Sequence, residues 1–263
     1  ILAHRIVWTL VLCAGVLLVR RDLAWSRQLV ARPRLAVGVT IAALLIAANW
    51  VVYVAAVLSG RTTEAALGYF LNPIVTVALG VLVLRERLRP LQWVAVALAA
   101  PGVLWLALRA DEVPWIALIL ATSFAAYGLI RKQIAVEAVV GLAAETTLIA
   151  PFALGYLLWN HVARDTFTTS WLALGGFVTA VPLALFAHGA RLIPLATVGL
   201  IQYLAPSLQF ATGVLVFGEP FTGARAIGFV IIWTALALYA AEGLLRHALN
   251  RPRSGPGPET TPR

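Results

Sequence analysis

Nine runs of about twenty apolar residues, joined by short charged loops, limit what this chain can fold into. They fall near 3–19, 35–58, 62–84, 90–108, 114–133, 141–159, 171–190, 195–217 and 221–245. A helix that crosses a hydrocarbon layer needs about 20 mostly apolar residues. The runs are long and continuously apolar, which favours helices over a barrel. Within lipid, every backbone amide must be satisfied inside its own segment. Composition agrees: 61% of residues are hydrophobic and 12% charged. A soluble chain is roughly 45–50% apolar and about 25% charged. The predicted fold is therefore all-α, a polytopic protein with a lipid bilayer as its solvent.

The charges orient it. Assigned alternately to two sides, the loops place fifteen basic residues on one face and only Arg61, Arg109, Arg164 and Arg225 on the other, with Arg5 inside the first run. Such a bias marks the cytoplasmic side. The 20–34 loop and the C-terminus are then predicted to be cytoplasmic. The net charge of +9 does not point to nucleic acid, because the basic residues are scattered over short loops. The tail 246–263, rich in Pro, Gly and charge, is predicted to be disordered. Cys13 is the only cysteine, so no intrachain disulfide or cysteine metal cluster is expected. No metal or other cofactor is predicted.

The chain also repeats itself. LGYFLNPIVTVALGVLVLRE (67–86) aligns with LIQYLAPSLQFATGVLVFGE (200–219), 133 positions on. Pro73 meets Pro206, Gly80 meets Gly213 and Glu86 meets Glu219, matches that shared hydrophobicity does not produce. A second match sets 1–18 on 141–158. The run at 114–133 has no counterpart, and its counterpart would lie just before Ile1. The sequence lacks Met and begins inside an apolar stretch, so one further N-terminal helix is expected in the intact protein. Two halves of five helices follow: 1–108, lacking its first helix, and 114–245. Five is odd, so the second half enters the membrane inverted. Inverted repeats are a frequent plan of secondary transporters, with the solute held near the midplane between the halves.

The strings AHRIVW (3–8), NW (49–50), EAALGYFLNP (64–73), ERLRPLQW (86–93), YGLIRK (127–132), ETTLIAP (145–151) and QYLAPSLQF (202–210) resemble the RarD-type branch of the EamA group, within the drug/metabolite transporter superfamily. The resemblance runs from Ile1 to about Tyr239. It implies a ten-helix fold of two five-helix repeats in a bacterial plasma membrane. It also implies a permease role, often described through a link to chloramphenicol sensitivity, and peripheral positions for 90–108 and 221–245.

Polar groups deep in lipid are costly and face a cavity or a partner helix. Asn49 and Tyr53 share one face, with Trp50 beside them. Tyr69, Asn72 and Thr76 share another. The repeat-related run offers Gln202, Tyr203 and Gln209, and each set brackets a proline that kinks a helix. They are candidates for substrate binding, or alternatively for hydrogen bonding between helices. Arg5 and Glu145 occupy matched positions with opposite charge. Inversion sets them at opposite membrane faces, each about four residues into its helix, unpaired with one another and shallow enough to snorkel. They read as gates, with Glu145 also a proton carrier, or as anchors. His4 and His188 are titratable candidates for proton coupling. Glu86 and Glu219 read as structural groups at the start of the following helix.

The expected function is a secondary-active transporter of a small organic solute, such as an amino acid, metabolite or drug, working by alternating access and exporting. Protons are candidate coupling ions, and a homodimer remains open. A membrane-embedded enzyme would need convergent catalytic groups, and no HExxH, GxSxG or deep Asp/Glu pair occurs. A channel or a non-transporting regulatory membrane protein is the remaining class.

Overall fold

The computed structural model describes residues 1–21, 31–108, 113–160, 166–216 and helical pieces between 230 and 238. Among these it holds nine helices: α1 Leu2–Val19, α2 Pro33–Leu58, α3 Thr62–Leu82, α4 Pro90–Leu108, α5 Trp115–Gln133, α6 Ala138–Trp159, α7 Thr166–Leu192, α8 Leu195–Gln202 and α9 Leu204–Leu215. Six of them are long and apolar enough to cross a membrane: α1, α2, α3, α5, α6 and α7. This is the all-helical, polytopic membrane architecture expected. The predicted run at 195–217 is two helices rather than one. Pro206 carries no N–H, so the carbonyl of Gln202 loses its donor four residues on. The regular ladder is interrupted at Tyr203, whose N–H reaches the Leu200 carbonyl, 3.3 Å away, rather than the carbonyl four residues back. Pro73, its counterpart in the repeat, sits inside an unbroken α3. Of the last run, 221–245, only the pieces between 230 and 238 are described, and they are helical. The tail 246–263 and Glu219 lie outside the described residues.

Each helix turns its small residues inward. Ala42, Ala43, Ala95, Ala117, Ala121, Ala125, Ala143, Ala187 and Ala190 are all buried, while Leu44, Val51, Phe152, Leu158, Phe177 and Leu185 stand outward. In water such an apolar exterior would be an aggregation surface. In lipid it costs nothing, and close approach of backbones over small residues drives helix association instead. Trp93, Trp115, Trp159 and Trp171 are exposed near helix ends, where an interfacial aromatic belt lies.

α1 packs on α6 and α7, α2 on α5 and α6, and α3 on α5 and α8. Two crossings are close enough to require glycine. At Gly199 of α8 a Cβ would stand 2.8 Å from the Pro73 carbonyl oxygen, and at Gly80 of α3 it would stand 2.9 Å from the Ala196 nitrogen. On the other side of the bundle, Gly176 of α7 lies against the backbone of Trp8 and Thr9, and the Thr9 hydroxyl donates to the Gly176 carbonyl at 3.2 Å.

Polar clamps tie the helix ends together. Glu86 receives the N–H of Leu195 at one carboxylate oxygen (2.7 Å) and that of Ala196 at the other (2.9 Å). A carboxylate there complements the positive end of α8. Its structural role therefore holds, but it caps α8 rather than the adjoining α4. Gln92 instead accepts the Arg89 N–H at the start of α4, at 2.9 Å. Lys132 approaches Glu86 at 3.7 Å and donates to the carbonyls of Ala190 and Ile193. Glu64, paired with Arg61, accepts the Ile116 N–H near the start of α5, at 2.8 Å.

Overpacking a close crossing costs about 1–3 kcal/mol. Gly199→Val should therefore lower the thermal unfolding midpoint of the purified protein in detergent by several degrees. Gly15→Ala, which meets nothing within 4 Å, should leave it unchanged or slightly raised.

Candidate functional site

Three polar groupings lie inside the bundle, and each takes residues from more than one helix. The first is at the α3–α8 crossing. Asn72 donates to the Gln202 side-chain oxygen at 3.1 Å, and the Thr76 hydroxyl meets the Asn72 oxygen at 3.5 Å. Asn72 and Thr76 are buried. The Gln202 side-chain nitrogen and the Tyr203 hydroxyl are also buried, and neither has a hydrogen-bond partner among the described residues. Both sit where Pro206 breaks the helix. A buried polar atom left without a partner costs about 1–3 kcal/mol. Gln209 lies one to two turns further along α9, and its side chain is outside the described set.

The second grouping gathers near the starts of α1 and α3. Arg5 donates through Nε to the Thr179 hydroxyl at 2.9 Å, and its guanidinium carbon lies 5.7 Å from the centre of the Trp50 ring. Trp50 is itself buried, so one of its faces is already covered by a cation. The Arg5 charge also reaches Tyr53 and Tyr69, whose rings meet edge to face with centroids 6.1 Å apart. His4 adjoins Arg5 on α1 and is half-buried.

The third is a buried ion pair. Arg131 and Glu145 are both completely enclosed and stand 3.3 Å apart, and the Tyr127 hydroxyl donates to the other Glu145 oxygen at 3.1 Å. Arg131 also donates to the Ala138 carbonyl at 3.3 Å. Its guanidinium lies flat on Gly141, a position where a Cβ would collide with it. Glu145 thus departs from the shallow, snorkelling placement expected of it. α6 begins at Ala138, which puts Glu145 about two turns deep, and Arg131 crosses from α5 to meet it. Arg131, counted above among loop charges, is an interior residue. As expected, Arg5 and Glu145 do not pair with one another.

The other candidates separate. Asn49 spends both amide hydrogens on α5, on the Leu120 carbonyl and the Ser123 hydroxyl, each at 2.9 Å, which is the helix-bonding alternative. His188 faces outward on α7, away from all three groupings. Sequence reasoning passed over Arg131, Tyr127, Ser123 and Thr179. For the first two a signal existed: Tyr127 and Arg131 lie four apart on one face of the 114–133 run. Ser123 and Thr179 gave none, being small hydroxyls with many structural uses.

Comparison with known proteins places this arrangement. Residues 1–108 match the EamA-like transporter family. The protein RarD of Streptomyces exfoliatus is 44% identical over 96% of this chain and 82% of its own length. The chain belongs to the RarD-type EamA transporters. An uncharacterized transporter of Pseudomonas aeruginosa is 43% identical over 92% of this RarD-type chain and 84% of its own length. A solved crystal structure shares the fold at a TM-score of 0.66, with 20% identity, covering 95% of this chain and 88% of the solved one. The family is one of membrane transporters of the drug/metabolite type, and the three groupings are therefore features of a permease interior.

Removing one partner of a buried ion pair leaves an uncompensated charge and costs about 3–5 kcal/mol. Glu145→Gln should therefore strongly destabilise the protein in detergent. The double variant Glu145→Gln/Arg131→Met should recover most of the loss in the same thermal unfolding measurement.

Proposed function

We propose that this chain is a secondary-active permease that exports a small organic solute from the bacterial cytoplasm by alternating access. Its polar site lies at the seam between two inverted halves. The observation that carries the reading is the α3–α8 crossing. There Asn72, Thr76 and Gln202 converge, and two buried polar atoms, on Gln202 and Tyr203, have no hydrogen-bond partner among the described residues.

Inversion is supported by which helices touch. Under the repeat, α1 corresponds to α6, α2 to α7, and α3 to α8 with α9. Matched helices that flank an approximate dyad contact each other, and α1 touches α6 as α3 touches α8. The same dyad turns the α1–α7 contact into α6 on α2, and both contacts are present. The axis then passes between Pro73 and its partner helix, where a solute would be reached from either face as one half rocks against the other. The cytoplasmic C-terminus rests on the charge bias of the loops, and the exporting direction rests on the family resemblance. The bilayer and the solute are the partners this reading requires.

Metabolites that accumulate outside parental cells but not outside a deletion strain identify the solute. Asn72→Ala or Gln202→Ala in the full-length protein should then cut flux of that solute into inverted vesicles by about three- to tenfold. That is the effect of losing one hydrogen bond of roughly 0.5–1.5 kcal/mol. Membrane abundance should stay at the parental level. Parental flux from both variants would remove the α3–α8 seam as the site.

A further inference from the structure

Every carboxylate among the described residues already has a cation. Glu64 faces Arg61, Glu86 faces Lys132, Glu137 faces Arg20 and Glu145 faces Arg131. Arg5 has no such partner. Its Nε donates to the Thr179 hydroxyl, and that hydroxyl passes its own proton to the Gly175 carbonyl at 2.7 Å. The aliphatic stem lies over Gly175, where the nearest approach of an added Cβ would be 3.8 Å. The guanidinium carbon lies over Trp50. Of the five N–H groups that a guanidinium offers, the four at its fork meet no acceptor among the described residues.

A guanidinium keeps its charge at any physiological pH. Taking a charge out of water without a counter-charge is expensive. An aromatic face offsets part of that cost, but it does not neutralise the ion. The surroundings are otherwise suited to a guest. Thr179 fixes Nε and so aims the fork. Tyr69, 37% exposed, is the least enclosed member of the grouping. The crossed rings of Tyr53 and Tyr69 form an aromatic wall with a hydroxyl on each ring. A planar fork matches a carboxylate through two parallel hydrogen bonds. A single cation balances a monoanion, and no carboxylate among the described residues pairs with Arg5.

We propose that Arg5 is the counter-ion of the transported solute, and that the solute class is small organic monoanions, carboxylates whose apolar body lies against Tyr53 and Tyr69. This rests on the permease reading above and narrows it. It assigns Arg5 to binding, held in aim by Thr179 and backed by Trp50, rather than to gating. No proton needs to move for the contact to form.

The experiment uses the full-length protein in detergent, with phenylacetate, indole-3-acetate and hexanoate set against their primary amides. At least one carboxylate should raise the thermal unfolding midpoint by several degrees, and its amide should not. Arg5→Gln should weaken that carboxylate's apparent affinity at least tenfold, and Arg5→Lys, which keeps the charge but loses the fork, should restore part of it. Should Arg5→Gln fail to accumulate, Thr179→Val takes its place, with about a threefold loss expected. Amides that bind as well as carboxylates, a panel in which no carboxylate binds, or undiminished carboxylate binding by the variants would each overturn the assignment. A neutral or cationic solute from the metabolite comparison would overturn it too, while leaving the permease reading standing. Unaltered flux in the Asn72 and Gln202 variants would count against the seam and not against Arg5.

Discussion

The close crossing of α3 and α8 is the constraint on which the rest of the bundle depends. Lipid tails are as apolar as leucine, so no hydrophobic force pushes helices together inside a membrane. Association must come from close van der Waals fit and from polar pairs. The crossing uses both. Gly80 and Gly199 remove the atoms that would hold the backbones apart. Asn72 and Gln202 bond across the gap, and the two oxygens of Glu86 secure the start of α8. Lys132 then ties α5 to the same end. Three helices are fixed relative to one another by a few small residues and four charged or amide groups.

That economy also explains why polar atoms are left over at the seam. A helix that continued through Pro206 would carry Gln202 and Tyr203 as ordinary members of its faces. Because the ladder is interrupted at Tyr203, these two are set at a break in it, buried but not fully bonded among the described residues. A transporter needs such a place, because a solute must exchange its hydration shell for something. The two interior arginines show the same logic from opposite sides. Arg131 is enclosed with Glu145 and Tyr127, and that set stitches α5 to α6. Arg5 is held by a threonine and an indole face and meets no carboxylate among the described residues. Two cations of the same kind, both within the helical bundle, thus have different surroundings, one beside a carboxylate and one beside a hydroxyl and an indole.

Much of this was legible in the amino-acid order. The span boundaries followed from apolar run length, because the bilayer's thickness converts directly into residues per helix. α1, α2, α5 and α6 begin or end within three residues of their expected limits. Asn72, Thr76 and Gln202 were found because a polar side chain in an apolar run has few places to go. Placement was harder where depth depended on a neighbour. Glu145 read as shallow because its helix was taken to start at 141, and the chain order gave no sign that Arg131 would be drawn inward to meet it. Glu86 was assigned to the nearest following helix, whereas α8, more than one hundred residues away, presents its amides to it.

Order along the chain therefore determined the solvent this protein lives in, the number and limits of most of its helices, the internal sequence repeat and the short set of polar residues worth examining. These are local quantities, set by hydropathy over one span or by identity between two. The tertiary structure decided the pairings: Asn49 with α5, Asn72 with Gln202, Arg131 with Glu145, and Arg5 with Thr179 and Trp50. Each partner comes from a different helix, and which helix faces which is settled by backbone approach over glycine and alanine, a property of surfaces in contact that no single segment contains.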